Sequence, residues 1–151
     1  MDDYKKYEVA LHGCQNFYAS IKSVYCPFFG HNITFNADGL HHLRFSGGRE
    51  RSKGEQLLKF SLLQEYVLNV LEYSGTVQEY RQVPIQLSKG RHTKKITYST
   101  SYTYWAFVAI VGVNRKERVK IIVRQHKNGI PHFWSIMKAE RHKGDSVYLY
   151  R

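Results

Sequence analysis

The dipeptide Asn128-Gly129, set between two stretches rich in Val, Ile, Phe and Trp, constrains the fold of this chain more than any other feature. A two-residue hairpin turn needs positive φ at both central positions, which Asn and Gly adopt at least cost, so residues 119–126 and 130–137 read as paired antiparallel strands. Such a turn pairs Lys127 with Ile130. By counting, Arg124 then faces Phe133, Val123 faces Trp134, Ile122 faces Ser135 and Ile121 faces Ile136. Alternation puts Val119, Ile121, Val123, Trp134 and Ile136 on one face, apolar enough to be the core face. Lys120, Arg124, His126 and Ser135 share the other with Ile122, Phe133 and Met137. Arg124 and Ser135 are diagonal neighbours there, near enough to grip one phosphate together. The plain alternative is a solvated outer face with unconnected charges. A bulge at Pro131 would shift the register and break the assignment.

Helix signals dominate the first half. Residues 2–12 are charged and weakly periodic, a lead-in or the start of the first helix. Phe17, Ile21, Val24 and Tyr25 recur at helical spacing over 15–25, and Pro27 and Gly30 stop that helix. Residues 31–35 read as a short strand with Ile33 and Phe35 pointing one way. Asn36 or Asp38 caps a helix whose buried side carries Leu40 and Leu43. Residues 45–54 form a flexible loop in which Gly47 and Gly48 stand beside Arg49, Arg51 and Lys53. Over 55–73 the stripe Leu57, Leu58, Leu62, Val67, Leu68 and Leu71 marks a long amphipathic helix ending at Gly75.

Strand signals then take over. Residues 78–84 are a connector or edge strand, and 89–95 a basic turn carrying Arg91, Lys94 and Lys95. Residues 102–113 are apolar on both faces, as in a central strand covered on both sides, with 114–116 as the next turn. Residues 146–150 read as a last edge strand. The expected fold is α+β, with N-terminal helices packed on a twisted C-terminal antiparallel sheet, as a single domain over 1–151.

Charge directs the functional reading. Lys and Arg total 23 against 12 acidic residues, a net charge of +11, which favours a polyanionic partner. Twelve Tyr accompany that charge, and aromatic faces among cations stack on splayed bases, so single-stranded or looped nucleic acid is the expected ligand class. Arg49, Arg51, Lys53, Lys120, His126, Arg91, Lys94 and Lys95 are the candidate phosphate contacts, and Tyr102 and Tyr104 the candidate stacking rings. No apolar run approaches the roughly 20 residues of a spanning helix, so no membrane is expected. Cys14 and Cys26 are the only cysteines, with no signal-peptide pattern and neither CxxC nor HExxH spacing. The expectation is a cytoplasmic protein with free thiols and without metal or cofactor.

The proton chemistry concentrates at His41-His42-Leu43-Arg44. Imidazole exchanges protons near neutral pH and Arg binds phosphate bidentately, a pairing suited to a phosphodiester. His41 and Arg44, three apart, share one edge of the helix's buried side, while His42 lies nearly opposite Leu40. Spacing does not choose between the two imidazoles.

With Phe17-Tyr18 on an early helix, Ile33-Thr34-Phe35 leading into a helix with His42-Leu43, the long helix, and residues 119–124 followed by Phe133-Trp134-Ser135, the chain resembles the small nucleases of the barnase, EndoU, colicin and RelE superfamily (the BECR fold), in particular its phage-associated branches. The resemblance spans roughly residues 14–137. It implies metal-independent RNA cleavage, in which the ribose 2′-hydroxyl attacks the adjacent phosphorus and leaves a 2′,3′-cyclic phosphate, in a toxin–antitoxin, phage or mobile-element setting. It further implies His42 as the helix histidine, Arg124 as the basic strand residue and Ser135 as the hydroxyl of the last core strand. His41 has no counterpart in that pattern. Arg44 and Arg124 are then suited to stabilising a phosphorane. An acidic antitoxin or immunity protein is the partner expected for so basic a surface. The rival readings are a non-catalytic RNA- or DNA-binding module and a protein-binding accessory factor.

Overall fold

The computed structural model describes residues 2–90 and 96–139. Helix α1 (Asp3–Ser20) starts well before the stretch whose periodicity suggested it, because Asp2 caps it by accepting from the Lys5 amide at 2.8 Å. Its inward stripe is Tyr7, Leu11, Cys14 and Tyr18, spaced four, three and four. Two tyrosines and a cysteine make that stripe weak by hydropathy. Val24 and Tyr25 are not helical. They lie in strand β1 (Ser23–Cys26), where Val24 and Cys26 are buried and Ser23 and Tyr25 exposed.

β1 turns through Gly30, at φ 70°, and pairs antiparallel with β2 (His31–Thr34), Val24 opposite Ile33. Asn36, not Asp38, caps helix α2 (Ala37–Arg44), its side-chain oxygen accepting from the Gly39 amide at 3.1 Å. The expected flexible loop is instead a small hairpin of β3 (Phe45–Ser46) and β4 (Arg49–Glu50). Gly47 and Gly48 supply the positive φ values, 58° and 80°, that its tight turn requires. Ser52 and Glu55 then open helix α3 (Lys53–Glu72), the serine hydroxyl accepting from the Glu55 amide.

The buried face of α3 keeps Leu62, Val67 and Leu71 of the stripe read in the sequence, with Leu68 partly buried, and departs from it in the first turns. There Leu57 and Leu58 are 37% and 40% exposed, and Gln56, Lys59 and Phe60 point inward, followed by Leu63 and Val70. Polar Gln56 and Lys59 tolerate burial because each is bonded. Gln56 accepts from the Tyr7 hydroxyl and donates to the Arg51 carbonyl at 2.7 Å, and Lys59 donates to the Ile136 carbonyl at 2.8 Å.

The remaining strands are β5 (Glu79–Lys89), β6 (Ile96–Val111), β7 (Glu117–His126) and β8 (His132–Lys138). The six-stranded sheet runs β1-β2-β8-β7-β6-β5. Its neighbours are antiparallel except β2 and β8, which meet in parallel at Thr34 and His132. The α+β expectation holds, with the three helices packed against this sheet. β5 is an edge strand, where the missing amide of Pro84 is tolerated. One face of β6, β7 and β8, carrying Phe107, Val119, Ile121, Val123, Phe133 and Ile136, joins residues of α1 and α3 in the main core. Among the described residues the other face holds a smaller cluster of Tyr104, Ala106, Ile122 and Met137, with Val83, Tyr102 and Trp134 packed against it. β6 is thus covered on both sides around residues 104–107 but not at Ile110, which is exposed.

The hairpin does not close on the expected Lys127–Ile130 pair: the Gly129 amide donates to the His126 carbonyl at 2.7 Å, and Gly129 does not take a positive φ. The β7–β8 register is therefore one off the count between the turn and a bulge and regains it beyond. Ile121 faces Ile136 and Ile122 faces Ser135, but Val123 faces Phe133 and Arg124 faces His132, leaving Trp134 as the extra residue of a bulge. The bulge exchanges two aromatic side chains. Phe133 turns into the main core and stacks on Phe35 with ring centroids 5.3 Å apart, while Trp134 packs against the second cluster. The last strand expected over 146–150 lies outside the described residues.

Candidate functional site

Asn36 fixes the start of α2, and Gly39 lets that helix approach β8 so closely that a β-carbon at this position would fall on the Phe133 carbonyl oxygen and 2.6 Å from the Tyr18 hydroxyl oxygen. That approach seats the His42 ring on Trp134, the bulged residue, with centroids 3.9 Å apart and planes 19° from parallel. The result is a cleft of about 330 Å³. α2 contributes Asp38, His41 and His42, the β3–β4 hairpin contributes Phe45, Gly47 and Gly48, and the sheet contributes Tyr102, Arg124 and Trp134. A second hollow of about 470 Å³ shares Asp38, Tyr102 and Arg124 with the first and continues over Asn36, His126, Ile130 and His132.

Arg124 stands where the two hollows meet. Its guanidinium carbon lies 3.5 Å from the Trp134 ring centroid and 4.3 Å from that of Tyr102. Nε donates to His132 Nε2 at 3.1 Å, and Nη2 lies 3.5 Å from an Asp38 carboxylate oxygen. Two rings, an imidazole and a carboxylate thus hold one guanidinium in a fixed pose in the cleft floor.

The imidazoles divide by what their nitrogens do. His42 is buried. Its Nδ1 is 3.1 Å from the Trp134 carbonyl and its Nε2 is 3.3 Å from Arg51 Nη2. A carbonyl only accepts and a guanidinium only donates, so Nδ1 carries the proton and Nε2 accepts. Burial, and then the cations of Arg51, Lys59 and Arg124, push its pKa down to about 3. His132 is likewise pushed down to about 4, by burial and by Arg124. Both are neutral near pH 7. His41, by contrast, is exposed, stacks on Phe45 at 4.5 Å, and has no hydrogen-bond partner among the described residues.

The structure therefore brings His41, His42 and Arg124 to one cleft, and it separates other residues from it. Ser135 is 1% exposed and its hydroxyl accepts from Lys59 Nζ at 3.4 Å, beneath the site rather than in it. The diagonal Arg124–Ser135 grip is lost with the register shift. Arg44 lies over the Phe45 ring, 5.3 Å from its centroid, with Nη2 3.8 Å from Glu50, and does not line the cleft. Arg51, expected in a solvated loop, is buried, donating Nε–H to the His42 carbonyl at 3.0 Å and pairing with Glu55. Lys120 is buried against Glu79 at 2.6 Å. Lys53 sits over the Tyr7 ring at 3.8 Å. Arg49 is exposed beside the Gly47-Gly48 turn, and His126 lines the second hollow with Nε2 2.9 Å from the Thr100 hydroxyl. Tyr102 faces the cleft while Tyr104 is buried. Arg91, Lys94 and Lys95 lie outside the described residues.

Sequence reasoning passed over Asp38, Phe45, Trp134, His132 and Lys59. Asp38 was legible, since it stands three residues before His41 and so shares its helix edge. Trp134 and His132 were hidden by the bulge.

Compared with family models, with curated proteins and with solved structures, the chain gives no match. No described helix is long and apolar enough to cross a membrane. Among the described residues no three His, Cys, Asp or Glu side chains cluster as a metal site would need.

Proposed function

We propose that the cleft binds a single-stranded RNA phosphodiester and cleaves it by attack of the 2′-hydroxyl, as an endoribonuclease toxin of the superfamily the sequence resembles. The observation that carries this reading is the opening of Arg124, Asp38 and His41 onto one cleft. Asp38 accepts the 2′-proton as the O2′–P bond forms. His41, protonated, gives its proton to the 5′-oxygen as the P–O5′ bond breaks, leaving a 2′,3′-cyclic phosphate. Arg124, held by Trp134 and Tyr102, faces the charge that develops on phosphorus. Phe45 and Tyr102 offer ring faces to the flanking bases. An acidic inhibitor protein covering the cleft is the partner this charge favours.

One observation favours a second reading, a module that holds RNA without cutting it: Arg124 already pairs with Asp38, and His42 in the cleft and His132 in the adjoining hollow have ring nitrogens committed to internal bonds. Incubation with total RNA in EDTA separates the two. Cyclic-phosphate ends, lost by ~10²-fold or more in His41→Ala and Arg124→Ala but retained in the exposed control Lys6→Ala, support the enzyme. Salt-sensitive binding of intact RNA supports the module.

A further inference from the structure

His42 is the imidazole that the family resemblance points to, and its surroundings fit a task other than proton transfer. Four side chains form a continuous column. Arg51 Nη2 donates to His42 Nε2 at 3.3 Å, the His42 ring lies 3.9 Å from that of Trp134, and the Trp134 ring lies 3.5 Å from the Arg124 guanidinium. A second tie, from His42 Nδ1 to the Trp134 carbonyl at 3.1 Å, binds the imidazole to the bulge itself. A bulged residue has no cross-strand partner to fix it, so its pose depends on such contacts.

We propose that His42 is a positioning residue: it holds the bulged Trp134 as the floor on which Arg124 is aimed into the cleft, while Arg51 fixes the imidazole's orientation from behind. Its hydrogen bonds leave no ring nitrogen for substrate. Arg51 in turn is anchored by Glu55, so the column runs from the first turn of α3 to the cleft floor. Other buried groups facing this ring are Lys59, donating to Ser135 and Ile136, and Arg124 itself.

The kinetic part of the test rests on the ribonuclease reading, and the spectroscopic part does not. In the whole chain, the ¹⁵N resonances of His42 are expected to remain those of the neutral Nδ1–H tautomer from about pH 5 to 8. Titration of His42 within that range overturns the proposal. In cleavage assays on RNA, His42→Ala lowers kcat by ~10²-fold, the scale of a displaced catalytic group, with an unchanged shape of the pH profile. His42→Gln, whose amide oxygen can take the Arg51 bond, recovers part of the loss. His41→Ala instead removes a limb of that profile. A lost limb in His42→Gln, or an unaltered kcat in folded His42→Ala, overturns the proposal. If the native chain does not cleave RNA, the ribonuclease reading fails and the column is read from affinity for a 2′-deoxy single strand. There His42→Ala and Trp134→Ala are each expected to weaken binding as Arg124→Ala does. Native affinity in both variants, beside a weakened Arg124→Ala, overturns the proposal.

Discussion

Gly39 is the residue on which the site's geometry turns. It lies inside α2, where glycine is ordinarily unfavourable, and it is needed because Phe133 and Tyr18 occupy the space of a side chain. Gly39→Ala is expected to push α2 off β8 and lower stability by ~1–3 kcal/mol, the scale of an overpacked core, and to separate His42 from Trp134. Urea denaturation measures the first effect and indole fluorescence the second. His42 and His132 set a second expectation, for acid. The unfolded chain takes up their protons near pH 6.5, the folded chain only near pH 3 and pH 4 respectively. The unfolded state therefore binds more protons throughout that window, and stability falls as pH drops from 6.5, by up to ~1.4 kcal/mol per pH unit for each imidazole. Above pH 6.5 neither group contributes a slope. The midpoint of urea unfolding followed from pH 7 to pH 5 is expected to decline less in His42→Gln than in the native chain.

At the scale of elements, the β3–β4 hairpin forms one wall of the cleft, and its turn depends on Gly47 and Gly48 at φ 58° and 80°. A β-branched residue resists this conformation. Gly48→Val is therefore expected to lower stability by ~1 kcal/mol or more and to weaken binding of a single-stranded oligonucleotide, both readable by melting and titration. In sequence this stretch reads as a flexible loop and the hairpin is missed, because Gly-Arg stretches are common in loops and hairpins alike. Elements set by local chemistry were legible: the long helix, the strand before Asn36, the α+β order and a chain reversal at Asn128-Gly129, though not the two-residue form of that turn. Elements set by partners were not. The inward face of α3 includes Lys59 because the Ile136 carbonyl receives it, and α1 lost its hydrophobic signature to tyrosines bonded or packed across the core. One inserted residue at Trp134 reversed which aromatic side chain faces the cleft, and no count from the turn could reveal it.

For the whole molecule, the net charge of +11 overstates what an anionic ligand meets, because several cations are already engaged inside the fold. Lys120 is buried against Glu79, Arg51 is buried between His42 and Glu55, and Lys59 is bonded to β8. Arg49 is exposed at the hairpin tip and Arg124 stands in the cleft floor. This distinction has a thermodynamic signature. Each phosphate neutralised on a single strand releases counterions and steepens the fall of log K against log salt by ~0.7. A cation that touches the strand contributes to that slope, and one neutralised internally does not. For binding of a 2′-deoxy single strand, Arg49→Ala is expected to reduce the slope by ~0.7, and Arg124→Ala by less, because Arg124 already pairs with Asp38. Lys120→Met, a substitution close in volume, is expected to leave it unchanged. Equal slope changes at Lys120 and Arg49 would mean that the strand lies along the sheet face by Glu79 rather than across the α2 cleft, and would remove His41 from its path.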